Sequence, residues 1–328
     1  MKKLLQYVLP IGLAVALMYW VFKGIDIESI LESFRGANYF LVFCAAVCSF
    51  LAHFSRAIRW NIMMEPLGYK PSVKNTTIAV LIGYMTNLVL PRAGEFARSA
   101  SLQKSENVPF QVSFGAVIAE RIIDLVVAIG LLALNILLEF DRIKGLAMEL
   151  FGDKIRNPIF LLSSLGILVF CLVSGFYLFD KYKNRLSQIA FFKKIIDFLD
   201  GLKSGFLGVF KIEKFWQFLF HTIFIWVMYY VGTYFLCQSI AIGSQLSLLA
   251  ILTILVMGSV GMAIPTIGGL GSYHLLVGKI VVLYGLTNQE GINLATFLHT
   301  MQGLLFVLVF GLIALVLSFL STKKSSKA

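Results

Sequence analysis

The chain has 328 residues, of which 59% are hydrophobic and 14% charged, and its formal net charge is +11. Its mean hydropathy of +0.86 excludes a water-soluble enzyme or a soluble nucleic-acid-binding domain. The composition instead predicts an all-α polytopic membrane protein that forms a single domain over residues 1–328.

Apolar runs long enough to cross a bilayer recur along the whole chain. Two shorter apolar runs, residues 76–90 and 248–264, each end at a proline, and each is expected to turn back as a Pro/Gly-broken hairpin. The six runs predicted to be full spans are residues 4–22, 39–55, 114–138, 159–179, 215–236 and 294–320.

The first broken segment places helix breakers and charges inside an apolar region. Residues 86–98 read Thr-Asn-Leu-Val-Leu-Pro-Arg-Ala-Gly-Glu-Phe-Ala-Arg. Pro91 and Gly94 are expected to interrupt the helix, and Asn87 to hydrogen-bond backbone carbonyls that the break frees. Lipid satisfies neither a charge nor a broken helix, so this segment is expected to face a protein interior or a wet cavity. Its charged residues are Arg92, Glu95 and Arg98.

The span that follows carries three more charges, Glu120, Arg121 and Asp124. Glu120 and Asp124 are four residues apart and therefore share one face of a helix. Each charge near the bilayer centre costs roughly 2.5–3.5 kcal/mol on insertion scales, so all three need partners. The expected pairs are Arg92 and Arg98 with Glu120 and Asp124, and Arg121 with Glu95; these six charges sum to zero.

Two interpretations of these six charges remain open. They form a buried ion-pair network that fixes one helix to the hairpin, or some of them contact a lipid headgroup or a proton. Ionisable residues inside membranes usually mark pathways, which favours the second interpretation.

Basic residues are unevenly distributed and predict the topology. The lysine-rich residues 180–214 belong on the cytoplasmic side, and both termini join them there if the runs 76–90 and 248–264 return to the face they entered. Residues 180–214 interleave aromatic and apolar positions with lysines, which indicates an amphipathic helix on the inner membrane face or an ordinary basic loop.

The second broken segment resembles the first in position. Pro265 lies about as far from the start of its preceding span as Pro91 lies from the start of its own. Residues 37–140 and 215–320 are therefore expected to form two inverted halves. A new helix is expected at about Ser272, with His274 at its start as a contact for a proton or a headgroup. The glycines before it either expose N–H groups to a phosphate or serve a tight turn: Gly268, Gly269 and Gly271.

Other polar residues receive a structural interpretation. Arg56, Arg59 and Trp60 are expected to anchor the second span at the inner interface. His53, His221 and His299 are scattered and indicate no metal site. No hydrolase or phosphate-loop motif is present, so neither an enzyme activity nor a cofactor is expected.

Three motifs resemble the lysylphosphatidylglycerol synthase transmembrane-region family, also called flippase-like, over about residues 5–320. They are Asn87-x-x-Leu-Pro-x-x-Gly-Glu-x-x-Arg98, then Glu120-Arg-x-x-Asp124, then Pro265-x-x-Gly-Gly-x-Gly271. The resemblance implies a helical bundle in the bacterial cytoplasmic (inner) membrane. Relatives join such a region to an aminoacyltransferase domain. The chain ends eight residues after its last predicted span, so lipid aminoacylation is not expected.

The expected function is translocation of an anionic or phosphate-linked membrane lipid, as a flippase or scramblase. The alternative is a non-transporting membrane partner of a lipid- or polysaccharide-synthesising enzyme. A further copy of the chain is a second candidate partner, and no nucleic-acid partner is expected. An intramembrane enzyme acting on lipid phosphate is a third, weaker alternative because no nucleophile–base pair is visible.

Overall fold

The computed structural model describes residues 17–90, 93–140, 212–264 and 266–325. Several sequence predictions concern residues outside these ranges: the span 159–179, nearly all of the segment 180–214, most of the span 4–22, and Pro91, Arg92 and Pro265. Residues 17–22, at the end of that first span, are helical.

Helices account for most of the described chain. A 3-10 turn, Glu65–Leu67, follows the helix Tyr39–Met64, and a second one, Ile267–Gly269, precedes the helix Ser272–Val282. A π-helical segment, His299–Leu305, joins Asn288–Leu298 to Phe306–Ser325. The α-helices are α1 Ile27–Arg35, α2 Tyr39–Met64, α3 Val73–Val89, α4 Gly94–Glu106, α5 Phe110–Leu138, α6 Phe215–Gln238, α7 Ala241–Ser244, α8 Leu248–Ala263, α9 Ser272–Val282, α10 Asn288–Leu298 and α11 Phe306–Ser325.

Within the described ranges, four helical stretches are long and apolar enough to cross a membrane: Tyr39–Leu67, Phe110–Leu138, Phe215–Gln238 and Asn288–Leu320. They coincide with four of the six predicted spans. Both α8 and α9 are apolar but shorter. These helices fit a multi-pass membrane protein.

Side-chain caps fix where several of these helices begin. The Asn38 Oδ1 accepts from the Phe40 N–H at 3.1 Å, and the Ser72 and Ser247 hydroxyls cap α3 and α8 in the same way. Thr287 and Glu290 form a reciprocal capping box at the start of α10. Each cap satisfies N–H groups that an apolar surrounding would leave without partners.

Contacts between helix ends define the two ends of the bundle. At one end, the Asn38 N–H donates to the Ser239 carbonyl at 2.7 Å, which joins the start of α2 to the end of α6. At the other end, Glu65 lies 2.7 Å from Lys214, which joins the end of α2 to the start of α6. We call these the Asn38 end and the Glu65 end.

The first break lies between α3 and α4, which pack as an antiparallel pair. The Ser72 hydroxyl donates to Glu106 at 2.5 Å, so the far ends of the two helices meet. Gly83 and Gly94 let the backbones touch: a Cβ on Gly83 would lie 2.8 Å from the Gly94 carbonyl oxygen. The Asn87 Oδ1 accepts from the Gly94 N–H at 2.7 Å. Asn87 thus also serves a group that was not predicted, the otherwise unpaired N–H at the start of α4.

The second break lies between α8 and α9. Thr253 and Tyr284 share a hydrogen bond of 2.7 Å, which brings the start of α8 to the end of α9. The new helix begins at Ser272, as predicted, and the Ser272 hydroxyl donates to the Gly261 carbonyl at 2.8 Å. Gly271 has φ +81°, and Leu17 and Met18 crowd its Cα. This packing favours the tight-turn interpretation of these glycines.

We predict that Gly94→Ala lowers the free energy of unfolding by about 1–3 kcal/mol, because the new methyl group would clash with the Gly83 carbonyl and the Asn87 side chain. Gly130→Ala in α5 is the control, because outside the local helix backbone no atom of the described residues lies within 4 Å of the methyl group that it adds. A denaturation series in detergent measures both. Equal midpoints for the two variants would contradict the close α3–α4 contact.

Candidate functional site

A cluster of five charged residues, four of them buried and one partly buried, lies where α2, α4 and α5 meet. We call it the charged cluster; its members are Arg56, Arg59, Arg98, Glu120 and Asp124. The Glu120 side chain is fully buried, whereas Asp124 keeps 13% of its side-chain surface exposed. Glu120 is ten residues into α5 and therefore lies ~15 Å along that helix. The cluster is thus far from both ends of a spanning helix.

Glu120 is the centre of the cluster. Arg98 donates to both of its carboxylate oxygens, at 2.8 Å to Oε2 and 3.3 Å to Oε1. Arg56 donates to Oε1 as well, and the Arg59 Nη2 lies 3.7 Å from the same atom. Three guanidinium groups therefore surround one carboxylate, which ties α2 and α4 to α5.

Asp124 binds two of the same arginines one helical turn further along α5. Arg56 donates to its Oδ2 at 2.6 Å and Arg59 to its Oδ1 at 2.7 Å. Both arginines also reach α6, where the Tyr229 hydroxyl lies 3.3 Å from Arg56 and the Thr222 hydroxyl 3.4 Å from Arg59. Asp124 is therefore the carboxylate on the more open, α6 side of the cluster.

Aromatic rings complete the surroundings of the arginines. The Arg98 guanidinium carbon lies 4.0 Å from the centroid of the Trp60 ring, a cation–π distance, and that of Arg56 lies 5.9 Å from Tyr84. Trp60 is itself fully buried. The rings exclude water from one side of the cluster, which strengthens its ionic contacts.

Arg121 and Glu95 form a separate ion pair of 2.9 Å between α5 and α4. This is the pair expected from the sequence. Its side chains are 40% and 20% exposed, far more than those of the charged cluster. It therefore adds a more open contact between the same two helices.

The charged cluster carries a surplus of positive charge. Three arginines face two carboxylates, which leaves a formal charge of +1. The buried Nε atoms of Arg56, Arg59 and Arg98 have no hydrogen-bond partner among the described residues. A buried N–H without a partner costs about 1–3 kcal/mol. The cluster is thus suited to accept a further anion.

Two expectations about this region need correction. The six charges expected to balance include Arg92, which lies outside the described residues, and do not include Arg56 and Arg59. Arg98 pairs with Glu120, as one of the expected pairings allowed. Asp124 pairs with Arg56 and Arg59, which were not among its expected partners. Arg56, Arg59 and Trp60 are buried rather than interfacial, because α2 continues to Met64 instead of ending at residue 55.

Two histidines that are far apart in the sequence meet at the second break. The ring centroids of His274 and His299 are 4.9 Å apart, and both residues are 2% exposed. The His299 Nε2–H donates to the Gly268 carbonyl at 2.7 Å. His299 begins the π-helical segment. Its contact with His274 means that it is not isolated from the other histidines in the fold, contrary to what its position in the sequence indicates. No described His, Cys, Asp or Glu residues form a group of three or more that suits a metal.

An apolar groove of about 360 Å³ lies between α5, α6 and α8. Val127 and Leu131 line it from α5, three and seven residues after Asp124 and hence on the same helix face. Ile223 and Tyr230 line it from α6, each next to a residue that binds a cluster arginine. The groove therefore begins beside the open side of the charged cluster.

Comparisons with known proteins place the chain among membrane proteins. A family model for the lysylphosphatidylglycerol synthase TM region matches residues 7–311. Glycosyltransferase AglD of Haloferax volcanii is 28% identical over 177 residues, which cover 50% of this chain and 28% of that protein. UPF0104 membrane protein MJ1595 of Methanocaldococcus jannaschii is 25% identical over 63% of each chain.

A longer match is UPF0104 membrane protein PH1989 of Pyrococcus horikoshii, 21% identical over 89% of this chain and 90% of that protein. The chain spans less than two thirds of the length of the other two relatives. No solved structure matches the chain.

Proposed function

Because the chain belongs to the family of the lysylphosphatidylglycerol synthase TM region, we propose that it translocates a lipid with an anionic or phosphate-linked headgroup across the membrane. The headgroup passes through the bundle at the charged cluster while the acyl chains remain in an apolar environment. The single observation that carries this proposal is the buried surplus of positive charge beside an open apolar groove.

The charge and geometry of the cluster suit phosphate. Guanidinium groups bind phosphate and carboxylate oxygens through paired N–H donors, and the cluster retains unused Nε donors on three arginines. Asp124 forms ion pairs with Arg56 and Arg59 in the absence of a headgroup. A phosphate that entered from the α6 side would contact the same two arginines.

The groove supplies the environment that an acyl chain needs. Its lining is almost wholly aliphatic and aromatic, and Leu248, Leu252 and Leu255 of α8 form the wall opposite α5. A lipid tail in this groove would have its polar end near Asp124. The adjacency of both parts supports one amphiphilic ligand rather than two separate ones.

We further propose six spans and two hairpins arranged as two inverted halves. Helix packing supports this: α3 packs against α11 and α8 against α5, while α2 packs against α6. Exchanging α2 with α6, α3 with α8, α4 with α9, and α5 with α10–α11 leaves this set of contacts unchanged. Related pairs of broken helices are typical of transporters.

The Glu65 end is the proposed cytoplasmic side, with both termini there and the chain in a cytoplasmic membrane. Lys70, Lys74, Lys104 and Lys214 all lie near this end, as the positive-inside rule expects. We propose transport without chemical change to the lipid, since both carboxylates of the cluster are held by arginines. Movement is then downhill or driven by an ion gradient.

Leaflet exchange in proteoliposomes tests the proposal. We expect the wild-type protein to accelerate exchange of fluorescent phosphatidylglycerol, and Asp124→Ala to slow it at least tenfold. Lys104→Gln is the control, because it removes an exposed charge at the Glu65 end. Circular dichroism establishes that both variants are folded. Background exchange with wild type and Asp124→Ala alike, over a broad lipid panel, would overturn the proposal.

One comparison favours a second candidate function, a non-transporting partner of a lipid- or polysaccharide-synthesising enzyme. A relative named as a glycosyltransferase matches this chain over only 28% of its own length. A region similar to this chain therefore occurs within a longer protein that is named as a glycosyltransferase. On this alternative, function tolerates Asp124→Ala but fails when the basic residues of the segment 180–214 are replaced.

A further inference from the structure

A second cavity lies at the Asn38 end, away from the charged cluster. Its volume is about 190 Å³, and it opens between residues 20–25, α9 and the start of α10. The residues that matter for its chemistry are Trp20, Lys23, Leu275, Lys279, Asn288 and Ile292. None of them belongs to the charged cluster or to the apolar groove.

The two lysines of this cavity differ in their ion pairing from the lysines at the Glu65 end. Among the described residues, neither Lys23 nor Lys279 forms an ion pair, whereas Lys70 and Lys214 share Glu65 at the other end. The nearby carboxylates have other partners. Asp26 caps α1 by accepting from the Glu28 N–H at 3.0 Å. Glu290 is held in the Thr287 capping box, where it accepts at 2.8 Å.

The unpaired lysines also contradict the general charge distribution. The positive-inside rule leaves few basic residues at the non-cytoplasmic side of a membrane protein. Two ammonium groups beside one cavity at the Asn38 end therefore need a local explanation. A bound anion supplies it, because Lys23 and Lys279 line one cavity and neither forms an ion pair with a described carboxylate.

The other walls of the cavity are suited to an amphiphile. Leu275 and Ile292 are apolar, and Trp20 and the lysines are of the kinds that lie at the level of lipid headgroups. The volume is smaller than the roughly 300–1,000 Å³ of pockets for whole small molecules. It is therefore suited to a headgroup whose tails remain outside.

We infer that this cavity binds the phosphate group of an anionic lipid through Lys23 and Lys279, as a second headgroup site at the opposite side from the basic loops. This inference rests on the proposed function, for which the two sites are successive positions of one headgroup. The cavity is formed by α9 and α10, which correspond to α4 and α5 under the proposed exchange of halves. Each half then contributes one anion site.

Lipid binding to the purified full-length protein tests the inference. Native mass spectrometry follows titrations with phosphatidylglycerol, with phosphatidylcholine as the zwitterionic arm and inorganic phosphate as the free-anion arm. The variant is Lys23→Gln/Lys279→Gln. Its matched control is Lys74→Gln/Lys104→Gln, which removes the same charge from exposed lysines at the Glu65 end.

We expect two bound phosphatidylglycerol molecules at saturating lipid in the wild type and in the control, and one in the Lys23/Lys279 variant. The affinity of the lost site should fall about tenfold or more, since each lysine near a headgroup contributes a several-fold effect. Phosphatidylcholine binding should not change. Lysine-dependent binding of inorganic phosphate without that of the lipid would assign the site to a free anion.

Unchanged phosphatidylglycerol binding in the folded Lys23/Lys279 variant would overturn the inference. Lys23→Arg/Lys279→Arg should retain the second lipid, which separates a charge effect from a packing effect. Leaflet exchange by the same proteins keeps the two proposals apart. Lysine-dependent binding with no exchange in the wild type would refute translocation and leave the second site standing.

Discussion

Glu120→Gln is expected to lower the free energy of unfolding by about 3–5 kcal/mol, the largest loss that we predict for one neutral, nearly isosteric change. The fully buried Glu120 carboxylate accepts from Arg56 and Arg98 and lies within ion-pair distance of Arg59. The amide would leave a formal charge of +2 among buried groups. Removing one member of a buried ion pair is far more costly than exchanging the whole pair for apolar residues.

Glu95→Gln is the matched control for this change. Its carboxylate is 20% exposed and forms its ion pair with the half-exposed Arg121, so the loss should stay within about 1 kcal/mol. Chemical denaturation in detergent, followed by tryptophan fluorescence, compares the two variants. Equal losses would show that burial does not distinguish the two carboxylates, and the ionic centre of the fold would have to be reconsidered.

Leu131→Trp is expected to reduce phosphatidylglycerol exchange at least tenfold while the protein stays folded. Leu131 lines the apolar groove on the Asp124 face of α5, and an indole there would extend further into the groove than the leucine side chain does. The charged cluster is left intact, so a loss of exchange would come from blocking the tail rather than from weakening the headgroup contact.

Leu137→Trp provides the comparison on the same helix. Leu137 is 78% exposed and is not a lining residue of the groove. An indole there would point toward lipid, which tolerates aromatic side chains. Full activity of Leu131→Trp, with Leu137→Trp also active, would mean that acyl chains do not occupy the groove.

Much of the fold follows from residue patterns. Apolar runs of sufficient length predict helices at α2, α5, α6 and α11, and the Pro/Gly breaks mark the ends of α3 and α8. Charges inside apolar runs identified Glu120, Asp124 and Arg98, because any such charge needs a partner. These inferences depend on properties of one residue or one short segment.

The partners of Asp124 could not be chosen from such local properties. Arg56 and Arg59 follow residue 55, where a strict apolar count ends the second span, and they resemble an interfacial anchor. The apolar residues after them, Met63 and Met64, were the available signal that the helix continues inside the protein. Which arginine meets which carboxylate depends on how α2 rotates against α5, and helix rotation has no single-residue signature.

The meeting of His274 with His299 has the same origin. The two residues are 25 positions apart, and the π-helical turn at His299 sets the direction of its ring. A wide turn of this kind depends on tertiary packing. Gly303 makes room for the ring, since a Cβ there would lie 2.9 Å from the His299 Cδ2.

The shared contacts of Asp124 have a consequence for how fast a ligand can leave. Arg56 and Arg59 already bind the Asp124 carboxylate, at 2.6 and 2.7 Å respectively. An arriving phosphate would displace Asp124 from these arginines instead of entering an unoccupied site. The free energy gained by binding the phosphate would therefore be largely offset by the loss of the two Asp124 ion pairs. Such an exchange keeps occupancy brief. On the proposed function, the headgroup would bind with low affinity and dissociate rapidly, because Asp124 remains close enough to displace it.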